Sequence, residues 1–265
     1  MFFGKKKMLN LLIYRLFFFV PFCYFFKTRL IKKSNKISWF FIYLLPILLV
    51  IFSEKNVNLS SVLSVFMYIL SVYTVYEMGY IWNDTETIKN EKKPTRRLTV
   101  TELDFYEENK KLIYLSRLLL VLIFSLYFFG SNIYYFLLFN IFSILFLYVL
   151  YNSIRGVLNL PLHFLLVCFR FVTPVVAFTS ISFIWVVLLF PVINLLERAS
   201  ENRFGLYFFN DFLLSDKKRG RYVYYLILFF ILLLFNAPFS ILITVVFLFF
   251  YRFASYEAIK LWSDK

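Results

Sequence analysis

Eight apolar stretches, each about the length of a bilayer crossing and separated by short polar loops, limit this chain more than any other feature. They are Ile37–Ser53, Leu59–Trp82, Leu112–Gly130, Asn132–Tyr151, Leu158–Phe178, Ile181–Leu196, Tyr222–Ala237 and Phe239–Trp262. A helix needs roughly 20 apolar residues to cross the hydrocarbon, and in lipid every backbone polar group must be satisfied internally, which leaves helices and closed barrels. A barrel would show short alternating segments instead. The expected fold is therefore all-α: a polytopic transmembrane helical bundle of about eight spanning helices. At 62% hydrophobic residues the chain lies above the roughly 45–50% apolar share of soluble domains.

Charge gives direction. The net charge of +14 is not read as a nucleic-acid signature, because the cations sit in loops beside apolar runs, as the positive-inside pattern requires. Asn83–Lys111 and Glu197–Arg221 are both rich in Lys and Arg, whereas the turns near Gly130, Ser180 and Asn236 hold no cation. Eight crossings with both termini in the cytosol put every basic loop on one side, in a plasma or inner membrane. Residues 1–36 stand apart as an N-terminal amphipathic segment, and 37–265 form the transmembrane domain. The apolar run Met8–Phe26 is flanked by Lys5–Lys7 on one side and by Lys27, Arg29, Lys32, Lys33 and Lys36 on the other. Cations on both flanks suit an interfacial or re-entrant helix, with a ninth crossing as the alternative. Cys23 and Cys168 form no CxxC pair and read as packing residues.

Two acidic stretches break the monotony, each at the cytosolic exit of an apolar run. The first holds Asn83, Asp84, Glu86 and Glu91, followed by Lys92, Lys93, Arg96 and Arg97 around Pro94. The second holds Glu197 and Glu201 with Arg198 and Arg203. On one helix, side chains four residues apart share a face, so Glu197 and Glu201 would repel unless a cation stood between them. Carboxylates suit a hard divalent cation such as Mg²⁺, and neighbouring Arg and Lys suit a phosphate. Solvated loops of mixed charge are the plainer reading of both stretches.

These residues resemble the UbiA superfamily of intramembrane prenyltransferases. That family carries an NDxxDxxxD-type motif after its second transmembrane helix and a DxxxD motif after its sixth. Here Asn83-Asp84 stands where the first begins, Glu91 takes its last aspartate, and Pro94-Thr95-Arg96 resembles a basic element downstream. Glu197-xxx-Glu201-xxx-Gly205 matches the second with glutamate for aspartate. Thr87 occupies the place of the middle aspartate and Leu98 that of a usual proline.

The resemblance implies Mg²⁺ held by Asp84, Glu86, Glu91, Glu197 and Glu201, with Asp84, Glu197 and Glu201 catalytic. It implies a prenyl diphosphate bound through Asn83, Lys93, Arg96, Arg97 and Arg203, and transfer of its prenyl group to an unknown acceptor within the membrane lipid. Phosphoribosyl transfer to a polyprenyl phosphate, and a non-catalytic protein that kept the fold, are the alternatives.

Intramembrane polar side chains are costly and need partners. Glu77, seven residues before Asp84, shares its helical face, and with Tyr80 and Arg170 it is the expected lining of an acceptor pocket. Arg170, mid-segment, is expected to pair with Glu77 or a lipid phosphate. Arg117 is expected to snorkel to the interface, and His163 to be a packing residue. Tyr73, Tyr76 and Tyr80 could offer ring faces to an allyl cation or be plainly buried.

Overall fold

The computed structural model describes residues 15–91, 94–154, 156–201, 204 and 216–263, with side-chain surroundings given as far as 258. Among the described residues every regular element is helical. Five helical stretches are long and apolar enough to cross a bilayer: Lys33–Glu54, Leu59–Asn90, Asn132–Ser153, Asn159–Phe178 and Phe239–Ala258. They coincide with five of the eight expected crossings. The other three differ for local reasons. The helix holding Leu112 begins at Val100 in a charged stretch and ends at Leu126. The helix holding Tyr222 opens on Lys217, Lys218, Arg219 and Arg221. The expected crossing Ile181–Leu196 is two helices, broken at Phe190.

The chain divides into two compact units. The first joins the described part of Met1–Lys36 to Leu63–Asn152. Its elements are α1 (Cys23–Thr28), α4 (Leu59–Thr85), α5 (Val100–Leu126) and α6 (Asn132–Ser153), with α2 (Lys33–Trp39) and α3 (Leu45–Glu54) lying between α1 and α4 in sequence. Thr99 starts α5 with a reciprocal cap: its backbone N–H donates to Glu102 at 2.9 Å, and its side chain takes the Glu102 backbone N–H. Gly130 (φ +80°) makes the turn into α6. The described part of the N-terminal segment is built into this unit's core. Phe17, Phe18 and Tyr24 are buried against Ile81 of α4 and Tyr106 and Ile113 of α5.

The second unit, Ile37–Val62 with Ser153–Lys265, holds α3, α7 (Asn159–Phe178), α8 (Phe183–Leu189), α9 (Pro191–Ala199), α10 (Lys217–Leu234) and α11 (Phe239–Ser263). Helix α10 packs along α11, α9 against α7, and α3 against both α7 and α11. Ser240 at the start of α11 donates to Glu54 at the end of α3 (2.7 Å). The α8–α9 break follows from Pro191, which has no N–H and disfavours a helical residue before it. Carbonyls freed at the break are satisfied across the unit: Tyr224 donates to the carbonyl of Leu188 (2.6 Å) and Tyr225 to that of Leu189 (2.8 Å). Asp216 caps α10 by accepting from the N–H groups of Lys218 and Arg219.

Candidate functional site

Tyr73, Glu77, Tyr80 and Asp84 recur every three or four residues and so form one stripe of α4. Glu77 and Asp84 are seven residues apart, about 10 Å along the helix axis at 1.5 Å per residue. Helix α1, six residues long, lies beside this stripe and touches one carboxylate at each of its ends.

At the N-terminal end of α1, Phe22 adopts φ +66°, a left-handed conformation that is strained for a bulky side chain. It turns the backbone so that the N–H groups of Phe22 and Phe25 both donate to Glu77, at 3.0 and 2.6 Å. These are helix-end donors with no partner within the helix, and a carboxylate from α4 caps them. Arg117 of α5 completes the group. Its Nη1 reaches Glu77 at 2.8 Å, its Nε donates to the Phe18 carbonyl at 2.6 Å, and both charged side chains are 0% exposed. Arg117 thus does not snorkel, because α4 and α5 run antiparallel and bring it level with Glu77.

At the other end, Arg29 sits just past α1. Its Nη1 and Nη2 donate to the two oxygens of Asp84, at 2.7 and 3.0 Å. Arg97, from the loop before α5, adds a third contact at 3.0 Å, and the Tyr24 hydroxyl a fourth at 3.0 Å. The Asn83 amide lies 3.4 Å from the same carboxylate. The Arg29 guanidinium is 4.4 Å from the centroid of the Tyr80 ring, a cation–π contact. The Asp84 side chain is 0% exposed, whereas those of Arg29 and Arg97 are 17% and 31% exposed. Burial, with the Asp84 charge beside it, pushes the Tyr24 phenol well above its ordinary pKa. Burial works against the charge on Arg29, but its hydrogen bonds to Asp84 outweigh that and raise it.

The remaining expected residues are placed as follows. Glu86 turns away from Asp84, accepting from Tyr106 (2.8 Å), Lys110 (2.5 Å) and Lys89 (2.9 Å). Glu91 closes the short turn Thr87–Asn90, and Arg96 is exposed. Lys93 and Arg203 lie outside the described residues. In the second unit Glu197 is held by Arg221, Nε at 2.5 Å and Nη2 at 3.0 Å. Helix α9 ends at Ala199, so Glu197 and Glu201 do not share one continuous helical face as the spacing had suggested. His163 meets Asn194 at 3.0 Å. Asp84 and Glu197 belong to different units.

Within the first unit these acidic groups, as placed, do not fit a divalent cation. The oxygens of Asp84 face two guanidinium groups and a phenol, and Glu86 faces two ammonium groups. Among the described residues no three His, Cys, Asp or Glu side chains come together. The magnesium that the resemblance implies is not matched by these donors.

Of the expected pocket lining, Glu77 and Tyr80 belong to the first unit and Arg170 to the second. Glu77 is sealed by α1 and Arg117, and Tyr80 stacks on Phe25 (6.0 Å, 8°). Arg170 belongs to the second unit, where its guanidinium lies 4.8 Å from the Tyr43 ring and its carbonyl accepts from the Tyr43 hydroxyl. Tyr73 and Tyr76 are buried, the first stacked with Phe22 and the second edge-on to Tyr148. The residues missed from the sequence were Arg29, Tyr24, Arg117 and Arg221. Only Arg117 had left a signal, since a buried Glu77 needs an opposite charge at its own depth.

Among the described residues, the fold and this cluster define an all-helical protein with five helices suited to a bilayer and an arginine-clasped carboxylate at the polar end of one of them. No family model, curated protein or solved structure matches the chain.

Proposed function

We propose that this chain is a multi-pass membrane transferase of the UbiA type, with eight crossings, an interfacial or re-entrant N-terminal segment, and both termini in the cytosol. On this reading Arg29, Arg97 and Asp84 bind the diphosphate of a prenyl donor. The observation that carries it is the meeting of two arginines, from segments remote in sequence, on one buried carboxylate where an apolar helix turns polar. Arg29 grips Asp84 through two parallel N–H···O bonds, the geometry with which guanidinium also takes phosphate oxygens. Asp84 keeps the clasp assembled until a diphosphate replaces it.

The chemistry then needs two things from these residues. As the bond from C1 of the prenyl group to the diphosphate oxygen breaks, the oxygen keeps the electron pair, and Arg29 and Arg97 neutralise the growing charge. As the acceptor forms its new bond to C1, its proton passes to Asp84, which the arginines have released.

The test is pyrophosphate release by the full chain in lipid vesicles, with the lipid that co-purifies supplied as acceptor. A prenyl diphosphate and phosphoribosyl diphosphate are compared as donors, with and without a chelator. Release from the prenyl donor should fall about a hundredfold in Arg97→Gln, the size expected for losing one donor to a transition-state oxyanion. Exposed Lys111→Gln should leave it within about twofold. Release from the phosphoribosyl donor alone reassigns the donor. No release from either donor refutes the transferase reading.

A further inference from the structure

The face of α4 opposite Asp84 shows a second feature, made by the first unit alone. Gly79, Trp82 and Glu86 close a groove of about 770 Å³ with Tyr106 and Lys110 of α5 and Phe142 and Phe146 of α6. That volume lies within the usual range for a small-ligand site, ~300–1,000 Å³. Its floor is the Tyr148 ring resting on bare backbone: a Cβ at Gly79 would stand 2.3 Å from that ring, so the depth depends on glycine. Phe142 and Phe146 on the outer lip are 66% and 63% exposed, and in a bilayer this side opens onto hydrocarbon.

One end of the groove is polar, and its charges cancel. Glu86 accepts from Lys110, Lys89 and Tyr106, and Lys89 also reaches Glu107 at 2.5 Å. The charged side chains that line the groove, Glu86 and Lys110, give a mouth with acceptor and donor side by side and no net charge. A phosphate head brought there would face Glu86, and a cationic head would face Lys110. A hydroxyl group satisfies both sides, donating to Glu86 while accepting from Lys110.

We propose that this groove binds a single-chain lipid with a neutral hydroxyl head, such as a long-chain alcohol. Its chain lies between Trp82 and Phe146, and its hydroxyl group meets Glu86 and Lys110. The site uses none of the groups around Asp84, so it stands or falls independently of the transferase reading.

The experiment uses the full chain in phosphatidylcholine nanodiscs and two photoreactive probes, a diazirine-bearing hexadecanol and the matching hexadecyl phosphate. Labelled peptides are located by mass spectrometry. The alcohol should label the stretches around Gly79–Trp82 and Phe142–Val149, about tenfold more than the phosphate ester, the discrimination one mismatched polar head provides. Leu145→Trp fills the groove, and Val149→Trp fills it from the lip; each should reduce labelling by about tenfold. Because Val149 is 43% exposed, its variant keeps the fold even if Leu145→Trp does not. Three results overturn the proposal: equal labelling by the two probes, labelling untouched by Val149→Trp, or labelling spread evenly over the outward faces of all helices.

Discussion

Glu77 and Asp84 lie on the same stripe of α4, and α1 serves both, yet the two carboxylates are housed differently. Glu77 takes two backbone N–H groups and one guanidinium, and neither partner of that ion pair has any exposed surface. Asp84 takes two guanidinium groups that are themselves partly exposed, and among the described residues its uncharged side-chain partners are Tyr24 and Asn83. A sealed pair can be broken only by leaving a charge stranded in low dielectric. A clasp with one side in water can open, because its arginines have solvent or another anion to turn to. The first arrangement fixes where α1 sits, and the second makes α1 useful by presenting Arg29.

The largest expected effect comes from breaking the sealed pair. Arg117→Met leaves Glu77 buried without its cation and should destabilise the protein by about 3–5 kcal/mol, read as lost thermal stability in detergent. Glu77→Leu combined with Arg117→Met should recover much of that, since removing both charges is often close to neutral. A double variant no better than Arg117→Met would mean that the Phe22 and Phe25 N–H groups, not the charge, dominate the site.

Asp84→Asn probes the other carboxylate. It should cost less, about 1–3 kcal/mol, because Arg29 and Arg97 can rehydrate. It should also tighten binding of inorganic pyrophosphate, measured by calorimetry, since the arginines no longer have a competing carboxylate. Turnover should nevertheless fall. If Asp84→Asn were as damaging to stability as Arg117→Met, the distinction between a fixed pair and an openable clasp would be lost.

Much of this contrast was readable before any coordinates. Length and apolarity alone gave the helical class and located five helices. The Asn83-Asp84 step marked the polar end of α4, and Glu77 announced itself as a buried charge in need of a partner. Its partner was misread because the apolar segment of α5 was counted from Leu112, which put Arg117 close to an interface. The helix begins at Val100, and the two antiparallel helices align Glu86 with Tyr106 and, about two and a half turns deeper, Glu77 with Arg117. Helix α1 left no trace in the pattern. A six-residue helix is too short to show periodicity or to be stable alone, and its start depends on a strained Phe22 that only the Glu77 cap explains. The Arg221 partner of Glu197 was hidden by their separation of twenty-four positions in sequence.

The smallest expected effect separates the two ends of α1 most finely. Tyr24 packs with Phe17 and Phe18 and spends its hydroxyl on Asp84. Tyr24→Phe keeps the ring contacts and leaves Asp84 with three guanidinium contacts, so the cost should be about 0.5–1.5 kcal/mol. Loosening Asp84 should also ease its exchange with an entering anion, giving slightly tighter pyrophosphate binding in the same direction as Asp84→Asn. Were Tyr24→Phe instead to weaken pyrophosphate binding, the phenol would be holding Arg29 in place through Asp84. The clasp would then be a fixed support like the pair at Glu77.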